Sequence, residues 1–163
     1  MQRRSAVLGA ALAVLVSTVP FRASASEGER VVIAERNNIV AFDPTTGQGR
    51  QVGTFHAAGA ISDSGTSASD FTVTPMSDGR ALLQGDHVLT SSTGTLVVRS
   101  RVTLTPFPSP RVIAQGTWRI VGATGVYAGL EGSGKSLAVG DFTTGTATIM
   151  RDGEVEGDSD KEP

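Results

Sequence analysis

The chain has 163 residues, no cysteine and a formal net charge of −2. The absence of cysteine excludes disulfides, thiolate catalysis and zinc or iron–sulfur sites that need cysteine ligands. Acidic and basic side chains nearly balance and form no basic run, so nucleic acid is not an expected partner. With two histidines in the chain, we expect no multi-histidine metal site, and no motif calls for a cofactor.

Residues 1–25 have the pattern of a secretory signal peptide. Arg3 and Arg4 precede an apolar stretch at 5–19, and a small-residue cleavage site ends at Ala25. The apolar stretch is shorter than the roughly 20 residues that span a bilayer. We therefore expect cleavage after Ala25 and a secreted, extracellular chain without a membrane anchor. The paired arginines fit either general or twin-arginine export.

The rest of the chain predicts an all-β domain at 26–151. Short apolar–polar alternations recur between clusters of Gly, Asp, Ser and Pro, as is typical of strands and turns. The predicted strands are 30–41, 51–61, 69–74, 80–89, 95–105, 111–121, a short one at 125–130, and 137–149, the last bent or divided at Gly140 or Gly145. The predicted turns are 77–79, 92–94, 106–110 and 122–125.

About eight strands at this spacing predict an antiparallel β-barrel or a sandwich. Glycines inside strands mark the bends that closure of a small barrel requires, so we favour the barrel and keep the sandwich as the alternative. In two of the predicted strands, 95–105 and 111–121, side chains at every second position form an apolar face. The residues that share one face are Leu96, Val98, Ser100, Val102 and Leu104 in the first, and Val112, Ala114, Gly116, Trp118 and Ile120 in the second.

Residues 152–163 are rich in Asp and Glu and follow the last predicted strand. A spaced calcium-binding loop with its turn glycine is absent from this segment. Blocks of like charge at a chain end are usually solvated and frayed. The sequence therefore predicts a flexible acidic tail.

A phosphate-binding pattern is present at 129–136, with Gly129, Gly134, Lys135 and Ser136 at its fixed positions. Such a loop needs a helix directly after it, whose N-terminus faces the phosphate. The residues after Ser136 include glycines and several threonines, which disfavour a helix and suit a strand. We therefore interpret the segment as a glycine corner between strands, with Lys135 as an exposed cation.

Residues 116–134, GTWRIVGATGVYAGLEGSG, resemble the glycine-rich corner of allene oxide cyclase-like and dirigent-like barrels. Residues 53–65 are similar to the first long hairpin of that family. The resemblance covers 51–149 and implies a secreted bacterial relative with a barrel of about eight antiparallel strands around a central cavity. Plant relatives cyclise an allene oxide or steer radical coupling, often as trimers. No residue here matches a catalytic carboxylate of the family through a motif, so the resemblance implies fold, not activity.

The candidate ligand-binding residues are His56, Arg99, Arg101, Trp118, Tyr127 and Glu131. If Phe55 points outward, His56 faces the cavity and is a candidate proton carrier. The two arginines share a strand face and are candidates to clamp a carboxylate or phosphate. The two aromatic residues are candidates for a pocket wall, and the glutamate for the barrel mouth. A structural or surface role is the alternative for each of them.

We therefore predict that the barrel holds a small apolar or amphipathic molecule in its central cavity. The first alternative is an isomerase, cyclase or dirigent-type template enzyme that uses the same cavity, because enforced conformation can itself accelerate a reaction. The second is a structural or protein-interaction barrel whose interior is filled. Two features of the interior distinguish these three functions: whether side chains fill it, and whether a carboxylate or histidine faces it.

Overall fold

The computed structural model describes residues 28–106, 110–141 and 143–157. Eight antiparallel strands form a closed barrel in which each strand pairs with the next one in the chain. The strands are β1 (Glu29–Asp43), β2 (Gln48–Gly59), β3 (Asp63–Pro75), β4 (Ala81–Thr90), β5 (Gly94–Pro106), β6 (Arg111–Gly125), β7 (Leu130–Asp141) and β8 (Thr146–Gly157). The described ranges hold no helix long and apolar enough to cross a membrane.

The predicted antiparallel barrel is confirmed, and the sandwich alternative is wrong. β1 pairs with β8 from Glu29 opposite Val155 to Asn38 opposite Thr146, and this ladder closes the sheet on itself. Closure removes the unpaired edges that two separate sheets would leave. The predicted signal peptide with its cleavage after Ala25 lies outside the described residues.

The glycine-rich corner is arranged differently from the prediction. Residues 122–125 lie inside β6, where Gly125 pairs with Gly94, and the turn is formed by the residues predicted as a short strand. Gly125 has a φ of 65°, in the left-handed region that glycine adopts without strain, so the chain turns there. Gly122 has no such conformation. Composition alone does not separate a glycine that ends a strand from one that lies within it.

The boundary predicted at 151 between barrel and acidic tail is wrong. β8 continues to Gly157, and Asp152 lies exposed while Val155 is buried in the barrel. The acidic residues of this segment alternate with inward positions, so a strand accommodates them with their carboxylates in solvent. Residues 158–163 of the predicted tail lie outside the described residues.

One end of the barrel is filled. This closed end lies on the side of the β2–β3, β4–β5 and β6–β7 turns, and its apolar core consists of Val31, Ile33, Phe55, Ala57, Ile61, Leu89, Leu96, Val98, Trp118, Tyr127 and Val155. Trp118 packs over Gly153, where an added Cβ would lie 2.7 Å from the indole Cζ2. The faces predicted for β5 and β6 are confirmed, because their shared apolar residues point into the barrel.

Candidate functional site

The other half of the barrel is open and contains a cavity of about 150 Å³. β1, β3, β5 and β7 end at this open end, and β2, β4, β6 and β8 begin there. Its walls are apolar: Ile39, Phe42, Phe71, Val73, Leu83, Val102, Leu104, Val112, Ala114, Ala138, Ala147 and Ile149. The rings of Phe42 and Phe71 stack with their centroids 6.3 Å apart, and Phe42 is partly exposed at the mouth.

A belt of buried polar side chains separates the cavity from the closed end. The polar belt consists of Glu35, Asn37, Gln51, Ser67, Ser69, His87, Ser100, Ser136 and Arg151. β5 shows the arrangement along one strand: Leu96 and Val98 lie in the closed end, Ser100 in the belt, and Val102 and Leu104 against the cavity. The belt therefore forms a polar floor beneath an apolar pocket.

The carboxylate of Glu35 is the centre of the belt. Its Oε1 forms an ion pair with Nη1 of Arg151. Its Oε2 accepts hydrogen bonds from Oγ of Ser67 at 2.6 Å and Nδ2 of Asn37 at 2.9 Å. Nδ1 of His87 lies 3.1 Å from the same oxygen. Because Arg151, Ser67 and Asn37 all offer donors to it, the arrangement holds Glu35 as a carboxylate.

His87 lines the cavity, and only one of its two ring nitrogens is used within the belt. A carboxylate only accepts hydrogen bonds, so Nδ1 of His87 carries the proton that is donated to Glu35, and Nε2 carries a lone pair. Among the residues that the structure describes, none forms a hydrogen bond with Nε2, and the imidazole lines the cavity. Glu35 thus fixes both the tautomer and the orientation of His87.

The electrostatics of the floor keep His87 neutral. Burial lowers the pKa of His87 to about 4, against a smaller opposing effect from the carboxylate of Asp86. Glu35 is already paired with Arg151, so a protonated imidazole would leave an excess positive charge in the interior. Burial lowers the pKa of Arg151 to about 9, which leaves the guanidinium charged at neutral pH.

Ser100 extends the network to β5. Nη2 and Nε of Arg151 lie 3.2 and 3.4 Å from Oγ of Ser100 and donate to it. Since Oγ accepts from the guanidinium, its own O–H remains available to donate into the cavity that it lines. Gln51 and Ser136 add further polar groups to the same floor.

The first three of the predicted site residues face away from the cavity. Phe55 points inward and is 4 % exposed, so His56, the next residue on β2, lies on the outer surface. Arg99 and Arg101 are likewise on the outer face of β5. Arg99 donates two hydrogen bonds, of 2.7 and 2.8 Å, to the carboxylate of Asp86 rather than to a ligand.

The other three candidates also lie outside the cavity. Trp118 fills the closed end, with Nε1 3.4 Å from the backbone oxygen of Asp152. Tyr127 belongs to the same core and donates from its hydroxyl to the carboxylate of Asp63, which lowers the pKa of that carboxyl. Glu131 is exposed on β7. The structure therefore brings none of the six predicted residues into the pocket.

The sequence did contain a signal for part of the belt. Val31, Ile33 and Ile39 alternate in the predicted strand 30–41, and Glu35 occupies the same face. A charged residue in the middle of an apolar face is a buried ionisable group, and such groups mark candidate sites. The partner of Glu35, Arg151, carried no comparable signal, because it sits at the edge of the segment predicted as a tail.

A comparison with protein-family models gives no match for this chain, and a comparison with curated proteins gives none either. The cavity, the polar belt and their chemistry are therefore the features that point to a function.

Proposed function

We propose that the protein binds a small, mostly apolar molecule with one polar group in the open half of the barrel. The observation that carries this proposal is the division of the interior into a filled apolar end, a polar belt and an open apolar pocket. A preformed apolar cavity with a few convergent polar groups is the usual form of a small-molecule site. A barrel of about eight strands is just wide enough to hold one small ligand.

The charge balance of the floor favours a ligand whose polar group is neutral. Glu35 and Arg151 compensate each other, and His87 is uncharged at neutral pH. A buried carboxylate or ammonium of a ligand would therefore find no free counter-charge, which is costly in an apolar site. A hydroxyl or carbonyl group instead finds the serine hydroxyls, Gln51 and the acceptor on His87.

The resemblance to allene oxide cyclase-like and dirigent-like barrels implies the same use of the central cavity, and membership of that family is part of this proposal. Secretion of the chain after cleavage at Ala25 is part of it as well. The filled interaction barrel is disfavoured, because the described walls of the open half enclose empty apolar space.

The experiment is native mass spectrometry of the protein purified from its secretion host, with binding of the neutral fluorophore prodan as a second readout. We expect bound mass that is lost on denaturation, and saturable prodan binding. Ala138→Phe fills the cavity and should abolish both signals, whereas Val139→Phe adds the same ring on the outer face of β7 and should leave both unchanged. If the unaltered protein carries no bound mass and does not bind prodan, the proposal is refuted.

A further inference from the structure

We propose that His87 is a general base: Nε2 takes a proton from a carbon next to a carbonyl group of the bound molecule and returns it at another carbon. The protein is then an isomerase for a small, apolar, unsaturated carbonyl compound. This inference rests on the proposed function, because the compound must first occupy the cavity.

The geometry leaves one ring nitrogen of His87, Nε2, available to act as the base. His87 projects inward from β4 between the filled core and the cavity, and its Nδ1 donates to Oε2 of Glu35 across 3.1 Å. The lone pair of Nε2 is therefore not used by the carboxylate, and it belongs to a ring that lines the cavity. A carboxylate that orients a histidine in this way also stabilises the imidazolium that forms when the base takes a proton.

The surroundings favour return of that proton. Arg151 shares the carboxylate of Glu35 and offsets its charge, so an imidazolium at His87 is stabilised only in part. Burial lowers the pKa of the imidazole, which keeps Nε2 free of a proton at neutral pH. The lowered pKa makes His87 a weaker base than free imidazole, so its advantage must come from its fixed position beside the bound molecule and from stabilisation of the oxyanion.

Ser100 is placed to stabilise the charge that develops on the carbonyl oxygen. It lies diagonally across from His87, whose direct partner on β5 is Val98, and such diagonal neighbours are roughly 7–8 Å apart. This is the separation of the two backbones, and since both side chains line the same cavity, one small carbonyl compound can contact both. Because Arg151 donates to Oγ of Ser100, the serine O–H is polarised and free to donate to an enolate oxygen.

The reaction balances without an added reagent. Nε2 of His87 takes a proton from the carbon between the carbonyl and a β,γ double bond. The C–H electron pair forms a new carbon–carbon double bond, and the carbonyl π pair moves to oxygen, where Ser100 donates to it. The carbonyl then re-forms as the γ-carbon takes the proton back from the imidazolium. The product is the conjugated isomer, and nothing is oxidised or reduced.

The test uses nitrobenzisoxazole, a small aromatic probe that a base converts to a coloured cyano-nitrophenolate by taking its C–H proton while the N–O bond breaks. We expect the protein to exceed free imidazole at equal concentration, and His87→Gln to lower kcat/KM by about 10²-fold or more. His56→Gln removes the other histidine, which is exposed, and should leave the rate unchanged. A rate that survives His87→Gln would overturn the inference.

Binding is measured separately with the unreactive analogue nitrobenzotriazole. If the analogue binds but the unaltered protein does not accelerate the elimination, the base is refuted and the binding cavity stands. If the analogue, like prodan, does not bind, both proposals fail. Nitrogen-15 NMR of the unaltered protein is independent of any variant: we expect His87 with a proton on Nδ1 and none on Nε2, and the opposite tautomer would contradict the inference.

Discussion

Glu35 and Arg151 form an ion pair inside the barrel, between β1 and β8, with both side chains wholly buried. These two strands meet at the seam that closes the sheet, so the pair lies across the ladder that joins the first strand to the last. Each charge is acceptable in the interior only because the other is present. The pair therefore couples closure of the barrel to the polar floor of the cavity.

Arg151→Met should destabilise the protein by about 3–5 kcal/mol, because the buried carboxylate of Glu35 then has no counter-charge. The measurement is urea unfolding followed by the fluorescence of the one tryptophan, Trp118. The matched control is Arg30→Met, which removes a pair with Asp152 between the same two strands. That pair is exposed, so the control should have little effect.

Replacing both partners should restore part of the loss. In the double variant Glu35→Gln with Arg151→Met no unpaired charge remains, so its free energy of unfolding should exceed that of Arg151→Met alone. A double-mutant cycle measures this coupling. Strictly additive losses would show that the two side chains do not act as a pair.

Stability should fall on acidification through His87. Its pKa in the folded protein is about 4, below the ordinary value of 6.5, so the unfolded chain takes up a proton first as the pH falls. The free energy of unfolding should therefore decrease from about pH 7 to about pH 4, by about 3 kcal/mol from this group, and this contribution becomes constant below that range.

The measurement is urea unfolding at pH 7 and at about pH 4.5. Comparing variants separates the contribution of His87 to the pH dependence of stability from that of the carboxylates. His87→Gln should show a shallower dependence on pH, because the amide does not titrate. His56→Gln should keep the slope of the unaltered protein, since that histidine lies on the outer face of β2. Equal slopes in all three proteins would rule out a buried neutral His87.

Gly153→Ala should destabilise the closed end. An added Cβ would lie 2.2 Å from the backbone oxygen of Ser133 and 2.7 Å from Cζ2 of Trp118, so both strand and indole must shift. Overpacking of this kind costs about 1–3 kcal/mol. Gly157→Ala, at the end of the same strand, meets no atom within 4 Å and serves as the control in the same urea titration. Equal stability of the two variants would contradict this packing.

Trp118 should report on the closed end and not on the cavity. It is 2 % exposed, packs in the closed-end core beside Ser100 of the belt, and does not line the pocket. Its emission should lie at short wavelength and resist quenching by iodide, and prodan binding should leave iodide quenching unchanged. Increased quenching in the presence of prodan would show that the belt does not separate the two halves.

Local patterns were sufficient for the fold and for two inner faces. The alternation from Leu96 to Leu104 fixes which side of β5 is apolar, because successive side chains of a strand point to opposite faces. For β2 the pattern was ambiguous, since Phe55 and His56 each have small or polar neighbours. Choosing the wrong side there exchanges inside for outside along the whole strand.

The sequence by itself determined an all-β chain of about eight strands and the inner faces of β5 and β6, and it favoured a barrel over a sandwich. The alternation of strand 30–41 also puts Glu35 on an apolar face, a signal that our predictions did not use, and nothing local indicates its partner. Only the tertiary structure decided that Arg151 reaches Glu35, because the two are distant in the chain and meet where β1 and β8 close the barrel. A site assembled from several strands depends on their mutual register, and register is set by closure of the whole sheet.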